Sequence, residues 1–135
     1  EHIGSTAVQH LGGKGIVDIM IAVHPSQANK IKGALEKKGY YFKHKRNGRL
    51  FFWRDIKRKI LRRVHLHVTT VDSTVWKQAM LTRNLLKNSA ALRKKYARVK
   101  QQAVKKAGGK GKIYRSYKKA FLDSLNSSAR NRRAV

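Results

Sequence analysis

The sequence predicts an α/β fold of the α+β kind: a mixed β-sheet with helices, followed by a C-terminal helical segment. Three observations carry that prediction. Ile16–Val23 is a nearly continuous apolar run interrupted only by Asp18, the pattern of a strand covered on both faces. The stretch 40–71 alternates apolar and polar positions around Asn47-Gly48, a strong hairpin signal. After Asp72 the apolar period changes from two to about 3.6 and does not change back.

Each element follows in order. Glu1–Ile3 ends a strand, and Gly4-Ser5-Thr6 supplies a turn and helix N-cap before a short helix over Ala7–Leu11. Gly12-Gly13-Lys14-Gly15 breaks that helix, and Ile16–Val23 is the buried central strand. His24-Pro25 ends the strand, and Ser26 caps a helix to about Lys38 whose apolar face is Ala28, Ile31, Ala34 and Leu35. Gly39 stops it. Tyr40–Lys45 and Arg49–Asp55 are the two strands of the hairpin, and Leu61–Val71 is a third, with Val64, Leu66 and Val68 alternating with His65, His67 and Thr69. Asp72 or Ser73 caps a helix to about Lys87. Ser89 or a residue near it starts another, striped by Leu92, Tyr96, Val99 and Ala103. Gly108-Gly109 separates it from a last helix over about Lys112–Leu125, where Ile113, Tyr117, Phe121 and Leu125 recur every four residues.

Composition narrows what such a fold does. The chain has 135 residues and a mass of 15.5 kDa, with 41% apolar residues spread along it, which suits one domain with a real core. Cysteine is absent, so disulfides, thiolate metal sites and cysteine nucleophiles are excluded. No apolar run approaches the ~18 residues of a membrane span, and no signal peptide is visible. These features predict an intracellular protein, cytoplasmic or organellar, neither secreted nor membrane-embedded. The chain opens Glu1-His2-Ile3-Gly4 without Met and reads as continuing from upstream residues.

Charge is the outlier. The 33 Lys+Arg against 6 Asp+Glu give a formal net charge of +27. It is unevenly placed: residues 43–63 hold ten Lys/Arg and one acid, Asp55, and residues 73–122 hold fifteen Lys/Arg and no acid. Helices of that kind gain nothing from i,i+4 ion pairs, and as a solvated face the cations only repel. A polyanion is the partner that such a surface implies, and RNA is the expected one. The cations expected on its phosphates are Lys43, Lys45, Arg46, Arg49, Arg54, Lys57, Arg58, Lys59, Arg62 and Arg63 in the first stretch. In the second they are Arg93, Lys94, Lys95, Arg98, Lys105, Lys106, Lys110, Lys112, Arg115, Lys118 and Lys119. Tyr40, Tyr41, Phe42, Phe51, Phe52 and Trp53 are interleaved with the first set. Strand-borne aromatics among cations can stack bases, although on packing grounds most of these rings are expected in the core.

Three smaller constellations could carry chemistry. Gly4-Ser5-Thr6 at a strand-to-helix turn is either an anion site built from backbone N–H groups, with Lys14 near it, or a helix cap alone. Asp18 in the most apolar run must be paired or bind a metal, because burying a lone carboxylate is costly. It faces the same side as Ile16 and Met20. His65 and His67 share one strand face and with Asp18 make a potential hydrophilic metal or phosphate site, the alternative being two exposed histidines on a half-buried strand.

These residues also carry a resemblance. Glu1-His2-Ile3-Gly4-Ser5-Thr6-Ala7-Val8, then Leu11, Lys14 and Gly15-Ile16-Val17-Asp18-Ile19-Met20, resembles the signature of the GrpB family of nucleotidyltransferase-like domains. Arg49-Leu50-Phe51-Phe52 is similar to that family's basic-aromatic strand, and His65-Leu66-His67-Val68 to its His-x-His strand. Trp76, Arg83-Asn84-Leu85-Leu86, Tyr96, Lys100, Tyr114 and Lys118-Lys119-Ala120-Phe121 resemble its helical end. The resemblance implies a polymerase-β-like nucleotidyltransferase fold over residues 1–127, with a mixed α/β part over 1–71, a helical part over 72–127 and a basic tail over 128–135. It implies that Gly4, Ser5 and Thr6 hold a nucleoside triphosphate and that Asp18 is a catalytic, metal-binding carboxylate. The sequence departs from that pattern in carrying Met20, not a second acid, two residues after Asp18, and in lacking the family's N-terminal segment.

The expectation for function is therefore an RNA-binding protein on a nucleotidyltransferase-like fold, a component of a ribosome or other ribonucleoprotein particle with neighbouring proteins, binding structured RNA without a cofactor. The alternative is an active nucleotidyltransferase acting on RNA or a nucleotide, with a nucleoside triphosphate cradled by Gly4, Ser5, Thr6 and Lys14 and Mg²⁺ bound by Asp18 with Glu1, His65 or His67.

Overall fold

The computed structural model describes the backbone of residues 1–133 and the side chains through Ala129. Five strands form one sheet: β1 His2–Ile3, β2 Val17–Val23, β3 Tyr41–Arg46, β4 Arg49–Lys57 and β5 Leu61–Thr70. Four α-helices accompany them: α1 Ala28–Lys37, α2 Thr74–Asn88, α3 Ala90–Ala107 and α4 Gly111–Arg133. The expected mixed sheet followed by helices is what forms. The chain divides into two compact units, 1–83 and 84–135, with the boundary inside α2.

In the first unit the strand order is β1-β2-β5-β4-β3. β2 and β5 run parallel, with Val17 opposite Val64 and Val23 opposite Thr70; all other neighbours are antiparallel. The β3–β4 turn is the expected Asn47-Gly48, with φ of 51° and 69°. Two consecutive positive φ values match the twist of a two-residue hairpin, and Gly adopts them without strain. Strand alternation then sorts the side chains. Ile19, Ile21 and Val23 of β2, Leu66 and Val68 of β5, Leu50 and Phe52 of β4 and Phe42 of β3 share one face. Ala28, Ile31 and Leu35 of α1 cover it, and Phe52 is fully enclosed there. Ala34, expected on that stripe, is exposed. Arg54 donates to the Lys38 carbonyl at 2.6 Å, satisfying an end group of α1.

Several local expectations change. The helix expected over Ala7–Leu11 is a single 3₁₀ turn, Ser5–Ala7. The N-terminal cap of the next element comes from His24, whose ring accepts from the Ser26 N–H ahead of a 3₁₀ turn at Pro25–Gln27, so Ser26 is not the cap of α1. Ser73 does cap α2, accepting from the Trp76 N–H at 3.2 Å.

In the second unit, Ser89 caps α3 as expected, accepting from the Leu92 N–H at 3.2 Å. Arg93 donates to the Leu86 and Lys87 carbonyls at 3.0 and 2.8 Å, which satisfies the end of α2. α3 ends at Gly108, and α4 returns beside it, with Tyr96 stacked on Phe121 at 5.4 Å between ring centres. Tyr96, Ala103, Ala107 and Leu125 are buried, whereas Ile113 and Tyr117 at the start of α4 are exposed. α4 runs to Arg133, eight residues past its expected end at Leu125 and through most of the stretch expected as a basic tail. Residues 134 and 135 of that tail lie outside the described residues.

Candidate functional site

The other sheet face gathers the polar and aromatic residues. Asp18 and Met20 of β2 stand beside His65 and His67 of β5; His65 and His67 stand beside Trp53 and Phe51 of β4; those stand beside Tyr41 and His44 of β3. Two rows of rings result. One is Tyr41, Trp53 and His65, with Tyr41 stacked on Trp53 at 4.8 Å and 26°. The other is His44, Phe51 and His67, with centroid separations of 5.3 and 5.0 Å. Phe51 also lies edge-on to His65 at 5.0 Å. The expectation that most of these aromatics are core holds for Tyr40, Phe42 and Phe52 only. Tyr41, Phe51 and Trp53 fall on the opposite face because period-two alternation separates neighbours.

At the β2 end of the rows sits Asp18. His65 Nδ1 and His67 Nε2 both approach its Oδ1, at 3.3 and 3.4 Å. The structure thus brings together the residues that the sequence reading grouped. It does not leave them as two exposed histidines: His65 is half-buried and His67 is buried. Burial holds the His67 imidazole below its usual pKa, against the opposing pull of Asp18. The neutral ring donates through Nε2 to the carboxylate, and its buried Nδ1 has no hydrogen-bond partner. Arg49 is half-buried nearby; burial lowers its pKa and the charge of Asp18 counters the shift. Its role beside Asp18 was not legible in the sequence, where it is one cation among many.

The Gly-Ser-Thr turn reaches the same place. Gly4 has φ 73° and ψ −170°, a conformation that only glycine adopts readily. A Cβ there would stand 2.7 Å from Asp18 Oδ2, so the backbone passes against the carboxylate. The expected cap is corrected: the N-cap of the turn is Gly4, with no side-chain cap bond. Instead Thr6 Oγ1 bonds His2 Nε2 at 2.8 Å and donates to the Ile16 carbonyl at 3.4 Å. The Ala7 and Val8 N–H groups close the 3₁₀ turn onto Gly4 and Ser5 carbonyls, each at 3.2 Å. One such turn has neither the length nor the dipole of an anion-binding helix N-terminus. Lys14 is exposed in the following loop.

The donor set decides whether a Mg²⁺–triphosphate centre fits. Mg²⁺ demands oxygen ligands in near-octahedral array, commonly one or two carboxylates with phosphates and waters. Around Asp18 stand two imidazoles and a guanidinium. Glu1 is engaged by Arg83 at 2.6 Å. Among the described residues no three His, Asp or Glu groups are arranged to hold a metal ion. The residues present do not fit a paired-metal nucleotidyl-transfer centre.

The expected phosphate-binding cations divide by task. Lys43, Lys45, Arg46, Lys57, Arg58, Lys59, Arg62 and Arg63 are exposed on the β3–β4–β5 meander, and Arg63 forms a two-pronged bond to Asp55 at 2.7 Å per arm. On the helices Lys94, Lys95, Arg98, Lys105, Lys106, Lys110, Lys112, Arg115 and Lys119 are exposed. Arg54 and Arg93 close helix ends, so these two serve the fold. Lys118 is half-buried beside Lys100, whose pKa is lowered by burial and by Lys118. Lys119 is paired with Asp123. Among the described residues no helix is long and apolar enough to cross a membrane.

Comparison with known proteins places this arrangement. A family model described as "GrpB protein" matches residues 1–128. A protein of Deinococcus radiodurans named as a UPF0157 protein is 30% identical over 123 residues, which is 90% of this chain and 62% of that relative's length. The crystal structure of the conserved protein GrpB from Enterococcus faecalis superposes with a TM-score of 0.72 at 22% identity, covering 96% of this chain and 80% of that one. At that identity the likeness establishes the fold, and the fold is consistent with the nucleotidyltransferase-like architecture.

Proposed function

The chain belongs to the GrpB family, and from that premise we propose that it is an RNA-binding protein that uses the family's fold as a cationic platform, holding structured RNA by its phosphates as a ribonucleoprotein component. The observation that carries the reading is the β3–β4–β5 meander, where exposed Lys and Arg crowd one region and the acid among them, Asp55, is already bonded to Arg63. Six acids can neutralise at most six of the 33 cations, so the surface is left strongly positive whatever pairs form. A polyanion relieves that self-repulsion. Phosphate contacts position a ligand without reading its sequence, so the RNA is recognised mainly by shape. The misfit of the Asp18 surroundings to paired Mg²⁺ supports a binding role over nucleotidyl transfer.

The test is RNA affinity against salt, with and without Mg²⁺ and a labelled nucleoside triphosphate. With six to ten phosphate contacts, affinity falls about 10³–10⁵-fold between about 50 and 200 mM salt, and no label enters RNA. A flat salt dependence overturns the reading. Label transferred to RNA by the wild type and lost in Asp18→Ala makes the chain a nucleotidyltransferase instead.

A further inference from the structure

The ring row at the sheet edge has an open end. Trp53 on β4 is stacked against Tyr41 from the β3 side, and the Arg63 guanidinium of β5 lies 4.7 Å from its ring centre. Arg63 is itself held in place by both oxygens of Asp55. A cation, an indole and a phenol thus form one ordered pile across three strands. β3 is the outermost strand of the sheet, and among the described residues no strand lies beyond Tyr41 to continue the pile. Tyr41 is 61% exposed, so much of its ring is open to solvent. Lys43, Lys45 and Arg46 follow it along the same edge strand, all exposed.

We infer that Tyr41 is a stacking platform for an unpaired nucleobase of RNA, with Arg46, on the same face of the edge strand, holding a phosphate beside it. The inference rests on the RNA-binding reading and refines it: the ligand is single-stranded at this edge, where the phosphate surface alone predicts no preference for unpaired bases. Three features favour it. An aromatic face stacks any base, so no sequence-reading side chains are needed. Trp53 and Arg63 hold the ring in advance, which lowers the ordering cost of binding. A base paired within an A-form helix keeps its faces covered by its neighbours, so only a splayed base can reach the ring.

The experiment compares an unstructured 12-nucleotide RNA with a 12-base-pair RNA duplex by fluorescence anisotropy, using wild type, Tyr41→Ala, Tyr41→Phe and Arg46→Ala. Tyr41→Ala weakens single-strand binding about tenfold and leaves duplex binding within about twofold; Tyr41→Phe retains both, because the ring alone stacks. Arg46→Ala weakens both ligands alike and lowers the salt slope by about one. Thermal melting verifies that each variant is folded, and Tyr41 is exposed enough that truncation leaves the core intact. Tyr41→Ala without effect, or with equal loss on both RNAs, overturns the stacking site while steep salt dependence still upholds RNA binding. Wild type that binds neither RNA in a salt-dependent way overturns both.

Discussion

Replacing Gly4 by alanine tests whether the turn backbone and Asp18 are as closely opposed as they are drawn. Gly4 sits at φ 73°, ψ −170°, a region essentially reserved for glycine, and forcing alanine into it costs about 1–3 kcal/mol. The new Cβ also meets Asp18, at 2.7 Å from Oδ2 and 3.2 Å from Cβ and Cγ. Overpacking of that kind costs a further ~1–3 kcal/mol. Together these give a loss of about 4 kcal/mol, a large share of the ~5–15 kcal/mol that folds an ordinary domain. Gly15→Ala is the control: its φ is 72° and nothing lies within 4 Å of the added Cβ, so only backbone strain of about 1–2 kcal/mol is lost. Urea unfolding followed by circular dichroism measures both. With a slope of ~1–3 kcal/mol per molar, Gly4→Ala lowers the midpoint by roughly 2 M, and Gly15→Ala by less than half that. In the Asp18→Ala background, where Oδ2 and Cγ are gone from the clash, Gly4→Ala costs less than it does in the wild type. Equal midpoints for Gly4→Ala and Gly15→Ala, or an undiminished cost of Gly4→Ala in the Asp18→Ala background, would refute the close approach.

Two further outcomes follow from single interactions. Burial lowers the pKa of His67 in the folded chain, while in the unfolded chain it titrates near ~6.5. Below that pH the unfolded state binds the extra proton, so His67 makes stability fall as pH drops from about 6.5 toward its lowered folded value; the wild type should lose more stability on acidification than His67→Gln in parallel urea titrations. Ser89→Ala removes the side-chain acceptor for the Leu92 N–H at the start of α3, and about 1 kcal/mol of stability should go with it by the same unfolding assay.

Much of this architecture was legible because its signals are local. Asn47-Gly48 names its own turn, Ser73 and Ser89 name their caps, and Val64, Leu66 and Val68 announce a strand face two residues at a time. The Asp18–His65–His67 grouping was legible for the same reason: each residue sits on a recognisable strand with a known facing. What was not legible is pairing. Arg49 reaches the neighbourhood of Asp18 only because β4 lies beside β5 and β5 beside β2, an order no local pattern states. The register of β3 shifts between Phe42 and His44, so counting back from the turn does not by itself bring Tyr41 onto Trp53. The short helix expected after Thr6 failed because three residues closed by 3₁₀ bonds satisfy the turn, and Leu11 is buried without helix. α4 outruns its expected end at Leu125, which is where the four-residue apolar stripe stops. There Ser124, Ser127 and Ser128 donate to helix carbonyls three or four residues back, at 2.7 to 3.0 Å, and the helix continues.

The acids of this chain explain why its candidate site differs from a metal-centred one. A site that holds divalent cations concentrates carboxylates, so that their repulsion is relieved only by the metal. Here five of the six acids, all but Glu36, have basic company. Glu1 meets Arg83, Asp55 meets Arg63, Asp72 meets Lys77 and Lys119 meets Asp123, and Asp18 has two imidazoles on one oxygen and Arg49 in its field. With 33 cations and 6 acids, a carboxylate acts as an anchor for neighbouring donors, and the half-buried Asp18 fixes the orientation of the two rings that end the aromatic rows. That assignment separates the two tests placed on Asp18. As an anchor, its loss disturbs His65 and His67 and lowers stability while the exposed cations keep their hold on RNA phosphates. As a metal ligand, its loss would abolish nucleotide transfer while removing a charge that repels the same phosphates. The proposed binding role requires the first pattern.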